Sequence, residues 1–183
     1  MSRTFTPERL DVAEFSQAKA QLSGHDSLQK YGRLEKELRA SPADLSIDWQ
    51  AEGERLRAAD GAMRPALHLH ARADLPLTCQ LCMGETMEPV EIDRYFVFVA
   101  DEEAAAALDD ISEDDVLVLS SEFNLRALIE DELLMALPLV PRHDECPEAP
   151  PLSAQDADFD AAMEDKPNPF AALASLKTGK KQS

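Results

Sequence analysis

Between Ser121 and Cys146 the chain reads SEFNLRALIEDELLMALPLVPRHDEC. Apolar side chains recur there at Leu125, Leu128, Ile129, Leu133, Ala136 and Leu137, the i, i+3, i+4 spacing that lines one face of a helix. Ser121 or Asn124 can cap its start by accepting from free N–H groups of the first turn. Pro138 disfavours helical geometry at Leu137 and so sets the end. Glu132 interrupts the stripe, because it lies two turns after Leu125 and points the same way. Glu130 and Asp131 point elsewhere, where water can solvate them. A carboxylate on a buried face needs a partner, a raised pKa, or a route to water at the edge of the interface.

The same helical period predicts two segments near the start. Asp11 and Glu14 have capping-box spacing, and Phe15, Ala18 and Leu22 follow on one face before Gly24, which predicts a helix over 12–22. Leu28, Tyr31, Leu34 and Leu38 predict a second over 27–38, weakened by Gly32 and stopped by Ser41–Pro42.

From Asp44 the period changes to two. Leu45, Ile47, Trp49 and Ala51 alternate with polar residues, and a further short strand is expected between Gly53 and Asp60–Gly61. Leu67, Leu69, Ala71 and Leu75 alternate with His68, His70, Arg72 and Asp74, and this strand leads into Cys79-Gln80-Leu81-Cys82-Met83-Gly84. A third strand runs from Pro89 to Ala100, with Val90, Ile92, Phe96 and Phe98 sharing a face with Arg94. The acidic, Ala-rich stretch 101–115 reads as a solvated excursion, and Val116–Leu119 as a short buried strand. These elements predict an α+β fold, a small antiparallel β-sheet packed by helices. The predicted globular domain covers residues 1–146. Residues 147–165, rich in Pro, Ala and acids, predict a disordered acidic linker. Residues 166–183 predict a short helical docking motif with a basic tail. There Asn168 caps a helix with Pro169 at its first position, and Phe170, Leu173 and Leu176 line one edge.

Charge narrows the partners. The chain carries 36 acids against 18 bases, a formal net charge of −18, which opposes any general affinity for nucleic acid or anionic membrane. No apolar run is long enough to span a bilayer. The first residues lack the apolar core of a signal peptide, so a cytoplasmic location is expected. Three cysteines argue against a disulfide framework.

Two constellations carry chemistry. Cys79, Cys82, His143 and Cys146 form C-x2-C followed by H-x2-C, the ligand set of a tetrahedral zinc site, and Gly84 gives the backbone the freedom a metal knuckle requires. A zinc-dependent or redox-sensing regulator using the C-x2-C pair is the alternative reading of those residues. Arg94 breaks the apolar face of its strand as Glu132 breaks that of its helix, so the two are a candidate structural ion pair. His68 and His70 read as an exposed strand face. No nucleophile triad, phosphate loop or dinucleotide loop accompanies the acids, so no enzyme is expected.

Three stretches together resemble the YceD family, the large ribosomal RNA subunit accumulation proteins of bacteria. They are the Cys79–Cys82 knuckle, Ile129–Leu134 running through Pro138 and Pro141 to His143-Asp144 and Cys146, and Lys166–Phe170 through Leu173–Lys177. The resemblance implies a cytoplasmic, non-enzymatic factor tied to synthesis, processing or stability of 23S ribosomal RNA. The implied partner is the assembling large subunit, or a basic ribosomal or assembly protein, with no membrane and no small-molecule substrate. An acidic adaptor suits the charge better than direct RNA contact through Lys177, Lys180 and Lys181. Partner contact is expected at Pro167, Asn168, Pro169, Phe170, Leu173, Leu176 and Lys177.

Overall fold

A computed structural model describes residues 4–40 and 44–148. The fold is α+β and is built on one five-stranded sheet whose strands lie in sequence order. The strands are β1 (Gln21–Ser27), β2 (Ser46–Arg57), β3 (Met63–Thr78), β4 (Glu85–Val99) and β5 (Asp115–Val118). The helices are α1 (Val12–Ala18), α2 (Leu34–Glu37), α3 (Glu102–Asp109) and α4 (Leu125–Met135), with a 3-10 turn at Leu28–Lys30.

Alternation makes the sheet two-faced, since successive strand side chains point to opposite sides. Ile47, Trp49, Leu67, Leu69, Ala71, Ile92, Phe96 and Phe98 face one side and are buried with Phe15 of α1 and Leu125, Ile129 and Leu133 of α4. Val97 and Val99 face the other side, where Ala58 and Leu108 of α3 join them in a smaller core. The acidic stretch expected as a solvated excursion thus contains α3. Asp101 caps it by accepting from the Ala104 N–H at 2.9 Å. The crossover through α3 makes β5 parallel to β4, whereas the other pairings are antiparallel. The sheet is therefore mixed rather than purely antiparallel.

The start of the chain departs most from the pattern. The helix expected over 12–22 ends at Ala18, because Lys19 adopts the left-handed conformation (φ 48°) and its N–H closes onto Phe15 and Ser16. Gln21–Ser27 then forms a strand instead of a helical turn. Its inward positions are Leu22, Gly24 and Asp26, so alternation is hidden by a residue without a side chain and by a carboxylate. Gly24 lies opposite Trp49, and a Cβ there would meet the indole at 2.6 Å. Asp26 accepts from Trp49 Nε1 at 2.9 Å, Tyr31 Oη at 3.1 Å and Lys30 Nζ at 2.5 Å. Burial pushes its carboxyl up, but the hydrogen bonds from Lys30, Trp49 and Tyr31 outweigh that and hold it below the ordinary carboxylate range.

The helix expected over 27–38 is broken into the 3-10 turn and α2, with Tyr31 and Gly32 between them. The two strands expected between 45 and 60 are one continuous strand, β2.

Gly24→Ala forces the Trp49 ring away from Asp26. It is expected to cost about 1–3 kcal/mol of unfolding free energy, read as a lower urea midpoint. An unchanged midpoint would show that the indole yields freely.

Candidate metal centre

β3 and β4 pair from Ala66 opposite Val97 to Thr78 opposite Glu85. Cys79–Gly84 is therefore the tip of a long hairpin. Its backbone closes with the Cys79 N–H on the Gly84 carbonyl at 2.8 Å and the Met83 N–H on the Cys79 carbonyl at 2.9 Å. Met83 takes a positive φ of 60° to complete the turn. Beyond α4, the segment after Pro138 returns to this tip, where the Gln80 N–H donates to the Pro141 carbonyl at 2.8 Å.

That return brings the four candidate ligands together. One ligand atom from each of Cys79, Cys82, His143 and Cys146 lies within 4.8 Å of the others. Cys79 Sγ and Cys146 Sγ are 3.8 Å apart, and Cys82 Sγ is 3.5 Å from His143 Nδ1. A tetrahedron with Zn–S bonds of about 2.3 Å and a Zn–N bond of about 2.1 Å has edges of about 3.8 and 3.6 Å. The separations also exceed a disulfide bond of about 2.05 Å, and all three cysteines are free thiols. His143 Nε2 contacts the Glu85 carbonyl at 2.7 Å. In the tautomer that donates there, Nδ1 is left as a lone pair facing the sulfurs, as metal-binding imidazoles require. Gly84 keeps the space clear, since a Cβ there would come within 3.2 Å of Cys82 Sγ.

The local field favours the thiolate at Cys79 and the protonated forms at Cys146 and His143. The Cys82 N–H, with those of His143 and Leu81, pulls the Cys79 thiol down to about 5 against its burial. Burial, then the neighbouring sulfurs, push the Cys146 thiol up to about 11. The Cys79 sulfur raises His143, as does the Glu85 carbonyl. Three sulfurs and an imidazole in one shell favour a soft or borderline divalent cation, and four protein ligands make a closed structural site.

α4 is fastened to its neighbours by its acids. Arg94 Nη1 donates to Glu132 Oε2 at 3.0 Å and Arg94 Nη2 reaches Asp115 Oδ2 at 2.7 Å. Arg94 is partly exposed while Glu132 is buried. Burial lifts the Glu132 carboxyl above its ordinary range despite the guanidinium.

Glu130, read from the sequence as solvated, is in fact buried. It accepts from the N–H groups of Arg33 and Leu34 at 2.6 and 3.2 Å and from Arg33 Nε at 2.8 Å. Burial raises its carboxyl, but the Arg33 hydrogen bonds outweigh this and hold it low. Nothing local announces the contact, because Arg33 lies at the far end of the sequence.

His68 stacks on Tyr95 with ring centres 4.1 Å apart, and its Nε2 lies 2.5 Å from Asp93. Glu52 and Glu54 bring carboxylates to the same spot on the open sheet face. Pro167, Asn168, Pro169, Phe170, Leu173, Leu176 and Lys177 lie outside the described residues. Among the described residues no helix is long and apolar enough to cross a membrane.

Residues 67–177 match the family described as large ribosomal RNA subunit accumulation protein YceD. The chain belongs to that family. A Haemophilus influenzae protein of the same description is 29% identical over 182 residues, covering 97% of this chain and 99% of that one. No solved structure matches. The span matched to the YceD family contains the hairpin tip, α4 and the return segment, hence all four candidate ligands and the Arg94–Glu132 pair.

The two buried acids of α4 should respond oppositely to change. Glu130→Gln weakens three hydrogen bonds to a buried carboxylate and is expected to cost about 2 kcal/mol near neutral pH. Glu132→Gln removes a costly buried charge and leaves Arg94 partly exposed and still paired with Asp115, so it should stay within about 1 kcal/mol of wild type. Glu130 has a depressed pKa. Its contribution is full above the ordinary carboxylate value and is lost as pH falls through the lower folded value. Glu132 has a raised pKa, so its contribution is full below the ordinary value and is lost as pH rises through the folded one. Urea melts of both variants across the acid range check these signs, and equal losses near neutrality would refute the contrast.

Proposed function

We propose that this chain is a non-enzymatic factor supporting the accumulation of large-subunit ribosomal RNA. It acts as an acidic adaptor for a basic ribosomal or assembly protein. Membership of the YceD family supports the first part. The formal charge of −18 carries the second, since such a surface repels phosphate and attracts the Lys- and Arg-rich proteins that coat ribosomal RNA. Contact with RNA is then indirect, through the captured protein. In this reading residues 1–146 are the working domain, 147–165 a tether and 166–183 a second docking element. The family match runs through Lys177 and so takes in the contact residues Pro167–Phe170, Leu173, Leu176 and Lys177.

Cys79, Cys82, His143 and Cys146 hold zinc in the same proposal. Zinc supplies a closed structural clamp that fixes the return segment to the hairpin tip. The non-enzymatic assignment is supported by the family description, which names ribosomal RNA accumulation and no reaction. A cleft of about 430 Å³ beside β2 is lined by Lys19, Gln21, Glu52, Gly53, Glu54, Arg55 and Met63.

Affinity capture from cell extract, with and without ribonuclease, tests the adaptor. A basic protein retained after ribonuclease treatment is the expected result, and loss of every partner on treatment would instead make RNA the direct ligand. Metal analysis of untagged protein should find about one equivalent of zinc. Less than about a tenth of an equivalent would remove the metal from the proposal.

A further inference from the structure

Four large apolar side chains stand in solvent on the two segments that meet at the candidate metal centre. Leu81 is 52% exposed and Met83 61% on the hairpin tip, while Leu139 is 99% and Val140 63% exposed on the return segment. Single exposed apolar residues are ordinary, but a group on one adjoining surface marks an interaction site. The two segments are held against each other. The Gln80 N–H bonds the Pro141 carbonyl at 2.8 Å, His143 Nε2 contacts the Glu85 carbonyl at 2.7 Å, and Cys79 lies beside Cys146. The left-handed Met83 belongs to the same tip, and its carbonyl accepts from Arg39 Nη1 at 2.5 Å.

Charge surrounds this apolar centre. Glu85, Asp144 and Glu145 are exposed on the same two segments, against Arg39, already engaged with Met83, and Arg142. An apolar middle with an acidic border complements a segment with apolar side chains on one face and Lys or Arg around them.

We propose that Leu81, Met83, Leu139 and Val140 form the docking face for a basic amphipathic helix of the partner protein. This rests on the adaptor reading above and locates its contact. The acids draw the segment in, and burial of the four side chains gives preference for an amphipathic sequence over a merely basic one.

The test uses the full-length chain and two fluorescein-labelled peptides. One is Lys- and Arg-rich with Leu at i, i+3 and i+4 positions, and the other has Ser at those positions. At physiological ionic strength the Leu peptide is expected to bind about tenfold more tightly by fluorescence anisotropy. The double change Leu139→Ser with Val140→Ser should abolish most of that preference. Ile111→Ser, at a 60% exposed site on the α3 side, should leave it intact. Because these positions are exposed, the variants keep their fold, which a thermal melt verifies. Equal binding of both peptides to the wild-type chain, or a preference surviving the double change, overturns the docking face and leaves the charge-driven adaptor standing. Failure of both peptides to bind overturns both readings. A wild-type dimer that the double change converts to monomer assigns the face to a second copy of this chain and equally overturns the proposal.

Discussion

The β3–β4 hairpin is the constraint on which everything else rests. Residues 66–78 of β3 pair with residues 85–97 of β4, from Ala66 opposite Val97 to Thr78 opposite Glu85. A one-residue slip would turn every inward side chain outward. Such a slip would empty the core of Leu67, Leu69, Ile92 and Phe96, and it would carry Arg94 away from α4. It would also move the tip, where Cys79 and Cys82 wait for a segment arriving from the far end of the domain. Register in the sheet thus fixes both the hydrophobic core and the place of the candidate ligands.

Three buried or nearly buried acids complete the assembly, and each joins pieces that the sheet alone leaves apart. Asp26 gathers β1, the turn at Lys30–Tyr31 and Trp49 of β2. Glu130 ties α4 to the backbone before α2, and Glu132 ties α4 to β4. Such groups add little net stability against apolar replacements, but an acid left without its donors is expensive. They therefore select one arrangement of short elements over the many that a largely aliphatic core would tolerate.

Where the sequence repeats a clear period, the fold is legible. The alternation in β3 and β4 and the stripe of α4 are written in Leu, Val, Ile and Phe. The four candidate ligands stand out in the sequence because metal chemistry requires particular residue types at short spacing, and the fold brings the two distant pairs within 4.8 Å. Legibility fails where a tertiary contact replaces a local signal. β1 hides its alternation behind Gly24 and Asp26, whose reasons are an indole and a hydroxyl on other elements. Lys19 ends α1 in a conformation usually left to Gly or Asn. Glu130 looks solvated until Arg33 is seen beside it, and α3 lies in an acidic stretch whose apolar side is little more than alanines and Leu108.

The two sheet margins carry a last consequence. β1 lies at one edge with Gln21, Ser23 and His25 along its polar side, and β5 at the other is only four residues long and opens on Asp115. Edges this short or this polar are poor templates for an added strand. Recognition by extending the sheet is therefore disfavoured at both margins. The proposed partner would then be met by side chains standing off the surface, which leaves its own backbone free to stay helical and the fold of the host undisturbed.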